Sequence, residues 1–547
     1  MKMLKELKRL PYLIILLIFV VLIFFKVVPT NRIKNTTSSD LVVFGDNIKT
    51  DYKPFIENGG IYISTDTISK LIDSDIYYDK VATKLIITTS DRLIKFKIDE
   101  NKMTENFVDK QITTPAKIVN DMSYLDINLV KDVYGVKVEY NEKTNTITID
   151  KKDTSGIAVK YNRVNVYEDL STKSNVIEHL NNTNTVTVYD ESLNHNRWYK
   201  IKTDTGVVGY ISKNNVDLNN TNNENKNETD NTTQTSNEKI TMFWQYGSDL
   251  NTLGSKIEGV DVVSPTWYEL SNKNGEISSK YSSAYYNQAK QNGYKLWPIV
   301  TNGIDDVNYT PDVTSAMLNS EQNREAFIKN LLRIAKEDKI DGINIDFEQL
   351  YDNDRDVFTQ FIKELTSIFR SENITVSVDT YFVRYLDRQN IGRFCDYMIL
   401  MGYDHRGSWS SEAGSIADIP WVEENIVSML NDSNIPASKI ILGVPFYTRI
   451  WRTNTSTNNL TSSVYSMEDC VDFINRNDLA KVWDADAGQN YVETQVGNTK
   501  YQLWIEDADS MKQRIEIVKK YNLAGISAWR KGLETNDIWN VILENMK

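Results

Sequence analysis

The sequence predicts an α/β protein built on a (β/α)8 TIM barrel with an insertion between strands 7 and 8. Two small β-rich domains and a transmembrane anchor precede the barrel. Three observations carry this reading. Residues 239–547 hold eight short apolar segments separated by amphipathic stretches, the rhythm of strands alternating with crossover helices. Residues 41–218 instead break into short alternating runs between turn residues. Residues 219–238 are almost entirely Asn, Thr, Glu, Lys, Asp, Gln and Ser; they cannot bury a core and read as a disordered linker.

Composition sets the limits. At 547 residues, 40% hydrophobic and 11% aromatic, the chain can fill several cores. Its net charge of −13, with no basic domain, argues against nucleic acid as a partner. Three histidines (His179, His195, His405) and no CxxC or HExxH pattern predict no metal site, and no cofactor motif is present. Cys395 and Cys470 are the only cysteines and are expected to be unpaired.

Taken in order, residues 1–30 open with Lys2, Lys5, Lys8 and Arg9. An apolar run from Leu10 to Phe25 follows, extended by Val27 and Val28 beyond Lys26. The run is about the minimum for a membrane span. No small-x-small cleavage site follows it. The expectation is a cytoplasmic tip and an uncleaved signal-anchor, leaving the rest membrane-anchored and extracytoplasmic; cleavage would make it secreted.

Residues 41–152 repeat themselves at an offset of 62. Tyr62, Ile63, Ile68, Leu71, Tyr78, Leu85 and Ile87 recur as Tyr124, Leu125, Val130, Val133, Tyr140, Ile147 and Ile149. Each copy reads as a strand, a short helix (Thr65–Ile72; Ile127–Tyr134) and a hairpin. The duplication resembles the small domain at the N-terminus of some copper amine oxidases and in many bacterial wall proteins. Copper is not implied, since no ligand cluster is present. Residues 156–218 contain Val164-Asn165-Val166, Val186-Thr187-Val188, Trp198–Ile201 and Gly209-Tyr210-Ile211 as short strands. With Trp198, Tyr199 and Gly209-Tyr210, this segment is similar to bacterial SH3-type domains, which bind cell-wall peptides or glycans. Trp198 and Tyr210 are expected as core aromatics.

In residues 239–547 the expected strands are Ile240–Tyr246, Val260–Thr266, Lys295–Thr301, Gly342–Glu348, Ile374–Thr380, Tyr397–Tyr403, Ile440–Phe446 and Ala524–Trp529. Glu321–Asp338 and Asp356–Phe369 carry the i, i+3, i+4 apolar stripe of helices packed on a barrel wall. The stretch from Tyr447 to Leu523, 77 residues, exceeds an ordinary crossover and predicts the inserted subdomain.

The fourth strand is the most informative. Ile343, Ile345 and Phe347 point one way, and Asn344, Asp346 and Glu348 the other. Acids stacked on one face need a solvated cleft, and the strand ends of a barrel supply one. The run Asp341-Gly342-Ile343-Asn344-Ile345-Asp346-Phe347-Glu348 resembles the DxxDxDxE signature of family 18 glycoside hydrolases. Met401-Gly402-Tyr403-Asp404 fits that family's sixth-strand motif, Leu442–Arg449 its seventh, and Gly525–Trp529 its closing strand. The nearer likeness is to its spore-germination and wall-lytic branch. In two places the chain departs from the pattern. Asn344 stands where chitinases usually carry an acid that shares a proton with the next one, and the third strand lacks SxGG.

Asp346 and Glu348 lie on one side of any bound sugar and cannot flank its bond from opposite faces. The remaining route is substrate-assisted: the 2-acetamido oxygen attacks its own anomeric carbon. Glu348 acts as acid and then base, while Asp346 holds the acetamide and strengthens Glu348's grip on its proton by like-charge repulsion. The resemblance implies Tyr403 on the acetamide oxygen and Trp529 as the floor under the sugar. Asn344, Asp404, Arg449 and Tyr447 join the expected substrate-binding set, with an Asp404–Arg449 ion pair as the competing reading. Asp341 is expected as structural support. Trp244, Trp267, Trp297, Trp451 and Trp483 are candidate sugar platforms or packing residues. The expected activity is retaining hydrolysis of a polymer containing N-acetylglucosamine, with peptidoglycan or spore cortex as the cell-wall partner. The alternatives are a wall protein that binds glycan without cutting it, and a chitinase.

Overall fold

The computed structural model describes residues 41–154, 156–192, 197–216, 239–247, 250–303 and 309–546. The apolar run Leu10–Phe25 and the linker 219–238 lie outside the described residues. Among the described residues no helix is long and apolar enough to cross a membrane. The chain divides into two compact units. Among the described residues one is drawn from 41–78, 96–103 and 110–216, the other from 79–95, 104–109 and 239–546.

In the first unit the sequence repeat is a structural one. Gly60–Ser64 and Met122–Asp126 pair antiparallel with Ile63 opposite Leu125, so the two equivalent residues mark a local two-fold. Each strand runs into its helix through a side-chain cap. Ser64 Oγ accepts from Thr67 N–H and Asp126 accepts from Asn128 N–H, satisfying donors that the first turn leaves open. Residues 157–212 form a six-stranded sheet closed over Val166, Ile201 and Ile211. Trp198 is buried and packs edge-on against Tyr167, with ring centroids 5.6 Å apart.

The second unit is the barrel. Its strands are β1 (Ile240–Gln245), β2 (Val262–Leu270), β3 (Ile299–Thr301), β4 (Gly342–Asp346), β5 (Thr375–Thr380), β6 (Tyr397–Met401), β7 (Ile440–Pro445) and β8 (Gly525–Trp529). All eight pair parallel in chain order, and β8 returns to β1 from Ile240↔Gly525 to Phe243↔Ala528, which closes the cylinder. Met242, Trp244, Val262, Trp297, Ile299, Ile399 and Ile441 cluster in its core, as inward residues of a barrel do. Gly342 opens β4 because a Cβ there would meet the Trp297 ring at 2.5 Å.

Three strands fall short of the expected alternation by two residues or more. The third divides into Lys295–Leu296 and Ile299–Thr301 around Trp297-Pro298, where proline has no N–H to give the ladder. The fourth ends at Asp346 rather than Glu348, and the sixth ends at Met401 rather than Tyr403. The insertion is a five-stranded antiparallel sheet (Tyr447–Asn454, Leu460–Ser466, Val482–Asp484, Gln489–Val496, Thr499–Ile505) carrying the helix Met467–Arg476. Ile450, Cys470, Ile474, Val492, Leu503 and Ile505 make its own core.

Helices α1 (Glu321–Glu337) and α2 (Arg355–Ser371) pack outside β4. Phe347 stacks on Phe361 at 5.7 Å and meets Phe327 and Phe358 at about 6 Å. The sequence reads α2 as amphipathic, yet its polar residues Gln360, Glu364, Thr366 and Ser367 are buried too. The segment Asp79–Lys95 covers them, with Ser367 Oγ donating to the Thr89 carbonyl at 2.5 Å.

Candidate active site

Past Asp346 the backbone leaves the sheet. Phe347 turns outward into the phenylalanine cluster, Glu348 stands half-buried at the barrel mouth, and Gln349 takes a left-handed φ of 52°. That conformation is costly for a side chain other than glycine and is held from outside. Asn302, just after β3, brackets the Glu348 peptide: its Oδ1 accepts the Glu348 N–H at 3.1 Å and its Nδ2 donates to the Glu348 carbonyl at 2.8 Å. Tyr309 adds a hydroxyl to the same carbonyl at 3.2 Å, and Tyr385 Oη accepts the Gln349 N–H at 2.9 Å. A side-chain amide thus stands in for the strand partner that β4 no longer has.

Behind Glu348 the inward residues of β4 are Asn344 and Asp346, both buried. Trp244 Nε1 donates to Asn344 Oδ1 at 2.6 Å, and Asn344 Nδ2 donates to Asp379 Oδ1 at 2.8 Å. Burial drives the Asp379 carboxyl well above its ordinary value; Glu348 adds to the rise and the Asn344 hydrogen bond opposes it.

Tyr403 follows β6. Burial, reinforced by Tyr447, Asp379, Asp346 and Asp404, pushes its phenol well above the usual value, so it stays a hydroxyl donor. Asp404, also left-handed at φ 59°, accepts from Tyr447 Oη at 2.7 Å. The competing Asp404–Arg449 ion pair does not form among the described residues. Arg449 Nη1 donates to Ser462 at 3.0 Å, because the hairpin Tyr447–Ser466 carries it into the insertion sheet. Asp341 lies at the far end of β4, where its Oδ2 accepts from Leu296 N–H at 2.7 Å and from Lys290 at 2.5 Å.

Trp529 ends β8 and meets Trp244 edge-on at 5.9 Å. Trp244, Trp267, Trp297 and Trp451 are buried, while Trp483 is 44% exposed in the insertion. Two cavities open on the barrel mouth. One, of about 270 Å³, is lined by Tyr246, Thr301, Asp346, Glu348, Trp529 and Arg530. The other, of about 390 Å³, is lined by Glu348, Tyr381, Phe382, Tyr403, His405, Trp409 and Trp421. His405 stacks flat on Trp421 at 4.7 Å and its Nδ1 lies 2.5 Å from Asp418. Glu348 lines both cavities, so an acid stands where a chain threaded through them would cross from one to the other.

Among the described residues no group of histidine, cysteine or acidic side chains could hold a metal ion. Cys395 and Cys470 are free and buried, and burial raises both thiols to about 12. Sequence reasoning missed Asn302, Asp379, His405 and Trp409. Asp379 was within its reach: Val376 and Val378 alternate with Ser377 and Asp379 on β5, which leaves an acid inward at a strand end.

Three family models match the chain. Glycosyl hydrolases family 18 covers residues 207–533, copper amine oxidase N-terminal domain 42–149, and bacterial SH3 domain 162–217. The uncharacterized glycosylase YvbX of Bacillus subtilis is 25% identical over 290 residues, which is 50% of this chain and 82% of that protein. The cortical fragment-lytic enzyme of Bacillus subtilis is 23% identical over 290 residues, 47% of this chain and 66% of that protein. This chain therefore spans just under two thirds of that relative's length. A crystal structure of chitinase from Chromobacterium violaceum aligns at TM-score 0.50 and 20% identity, over 56% of this chain and 99% of that one. At that identity the likeness is one of fold.

Proposed function

This chain belongs to glycosyl hydrolases family 18, and on that premise we propose that it hydrolyses a polymer containing N-acetylglucosamine, with peptidoglycan or its spore-cortex form as substrate and net retention at the anomeric carbon. The observation that carries the proposal is the position of Glu348 on the wall shared by the two cavities. A sugar chain lying across both puts its scissile oxygen beside that carboxyl.

Asp346 and Glu348 come from one strand terminus, so they lie on the same side of the sugar, and the nucleophile is the substrate's own acetamide oxygen. Glu348 gives its proton to the leaving oxygen and then takes one from the attacking water. Asp346 holds the acetamide N–H and stabilises the oxazolinium cation. Tyr403, kept protonated by its surroundings, donates to the acetamide oxygen. Trp529, half-buried beside Asp346, is the floor of the donor side, and Tyr447 fixes Asp404 at the rim. The name of the cortical fragment-lytic relative supports a wall glycan, as does the resemblance of the two accessory domains to modules of bacterial wall proteins. The apolar run at residues 10–28 supports a membrane-anchored, extracytoplasmic location.

The test is digestion of purified peptidoglycan by the intact protein and by Glu348→Gln, with mass analysis of the new reducing ends. New N-acetylglucosamine ends from the wild type alone are expected. Equal product from both proteins removes Glu348 from its role. Product from neither, with binding retained, makes the barrel a glycan-recognition module.

A further inference from the structure

The donor side has a second acid behind it. Asp379 is on β5, next to β4, where Asn344 pairs with Ser377 and Ile345 with Val378. It therefore faces inward one step nearer the mouth than Asn344. The orientation of the Asn344 amide is fixed by its neighbours. The indole N–H of Trp244 can only donate, so the oxygen of Asn344 faces Trp244 and its nitrogen faces Asp379. Trp244 belongs to β1, so this chain of two hydrogen bonds ties β1 to β5 through β4.

Asp379 is 5% exposed, and among the described residues no Lys, Arg or His pairs with it. An unpaired carboxylate at that depth is costly, and a buried acid in this position keeps its proton. The ionisable groups that act on it are also acids. Glu348 on the β4 side repels its anion, and Tyr403 after β6 feels both Asp379 and Asp346. Among the described residues no neighbouring charge favours ionised Asp379.

We propose that Asn344 and Asp379 act as one unit, an amide joined to a carboxylic acid, in which Asp379 is a positioning residue that works in its protonated form. The inference rests on the glycosidase reading of the site. Without an acid at position 344, the second carboxyl comes from β5 and reaches the site through the Asn344 amide. Neutral Asp379 has two effects. It anchors Asn344, and through it Trp244, beneath the donor cavity. It also leaves Asp346 as the anion facing the developing cation, without a further negative charge that would tighten Glu348's hold on the proton it must release. The Asp379 proton stays in place throughout the reaction.

The experiment compares Asp379→Ala, Asp379→Asn, Asn344→Asp and the exchange variant Asn344→Asp/Asp379→Asn, reading kcat, KM and the pH profile on one soluble chitooligosaccharide. Asp379→Ala should lower kcat about thirtyfold with KM little changed. Asp379→Asn, the neutral isostere, should recover most of that loss. Asn344→Asp puts a second carboxyl against Asp379, so it should move the alkaline limb of the profile upward, and the exchange variant should bring the limb back. Asp379→Asn as impaired as Asp379→Ala would mean the charge is needed, and the protonated form would be wrong. Asp379→Ala matching wild type in kcat, KM and pH profile would reduce Asp379 to packing.

A second measurement needs no turnover. The folded-state proton affinity of Asp379 is raised, so its contribution to stability is fully present below the ordinary carboxyl value of about 4 and is lost as pH rises toward the folded value. Asp379→Asn should therefore melt increasingly above wild type as pH rises from about 4. A constant difference across that range overturns the proposal even if wild type cleaves nothing. Wild type that fails on every glycan while this difference is seen would count against the glycosidase reading alone.

Discussion

The ammonium of Lys95 lies 2.7 Å from Glu321 and 3.2 Å from Glu364, on helices α1 and α2, with the Lys95 side chain 3% exposed and Glu364 fully buried. Arg324 and Asp79 extend the network at 3.3 Å, and Lys84 reaches Glu321 at 2.8 Å. The segment Asp79–Lys95, which belongs to the same compact unit as the barrel, thus completes the outer wall behind β4. Removing one partner of a buried ion network costs about 3–5 kcal/mol because the others are left uncompensated. Lys95→Met should lose stability on that scale in denaturant unfolding. A fragment beginning at Lys239 should be less stable than the intact protein by at least as much.

The same network predicts acid sensitivity. Burial works to raise Glu325, but Lys95 and Lys329 outweigh it and hold the carboxyl down to about 2. Its folded value is depressed, so its contribution is present above the ordinary glutamate range and lost as pH falls through the folded value. Stability should therefore drop between about pH 4.5 and pH 2, by roughly 3 kcal/mol at most. Glu325→Gln should flatten that part of the melting-temperature profile.

Asn302 holds the Glu348 peptide from both sides. Asn302→Ala should displace the acid without altering the cavities. We expect kcat to fall about tenfold to a hundredfold with KM little changed, since small misplacements of a catalytic group cost on that order. Steady-state kinetics on a soluble oligosaccharide reads this directly.

Tyr403→Phe removes a hydroxyl that its surroundings keep protonated. Loss of one such donor to a developing charge costs about a hundredfold in kcat. A fall in binding alone, with kcat intact, would place Tyr403 outside the reacting centre.

Periodicity carried far in this chain. The eight strands, the insertion and the inward placement of Asn344 and Asp346 all follow from alternation and from where it stops, because inward residues of a barrel strand recur every second position. Alternation alone could not show that Glu348 leaves the strand, since Phe347 continues the apolar beat while packing on α1 and α2 instead of pairing. Asn302 was invisible because its role depends on the chain separation of 46 residues to Glu348. The Lys95 network was hidden for the same reason. Its charged residues read as solvated faces of a repeat and of two helices, and only their meeting in space makes them a buried contact. The Asp404–Arg449 pairing failed because the hairpin after β7 takes Arg449 into the insertion.

The claim that the substrate supplies its own nucleophile is tested most directly with paired aryl glycosides of N-acetylglucosamine oligosaccharides, one bearing the 2-acetamido group and one a 2-hydroxyl, followed by NMR from the first turnover. Substrate assistance predicts cleavage of the acetamido compound alone, with the β-anomer released first and Glu348→Gln inactive on it. Cleavage of the hydroxyl compound at a comparable rate, or first appearance of the α-anomer from a β-linked substrate, would contradict it.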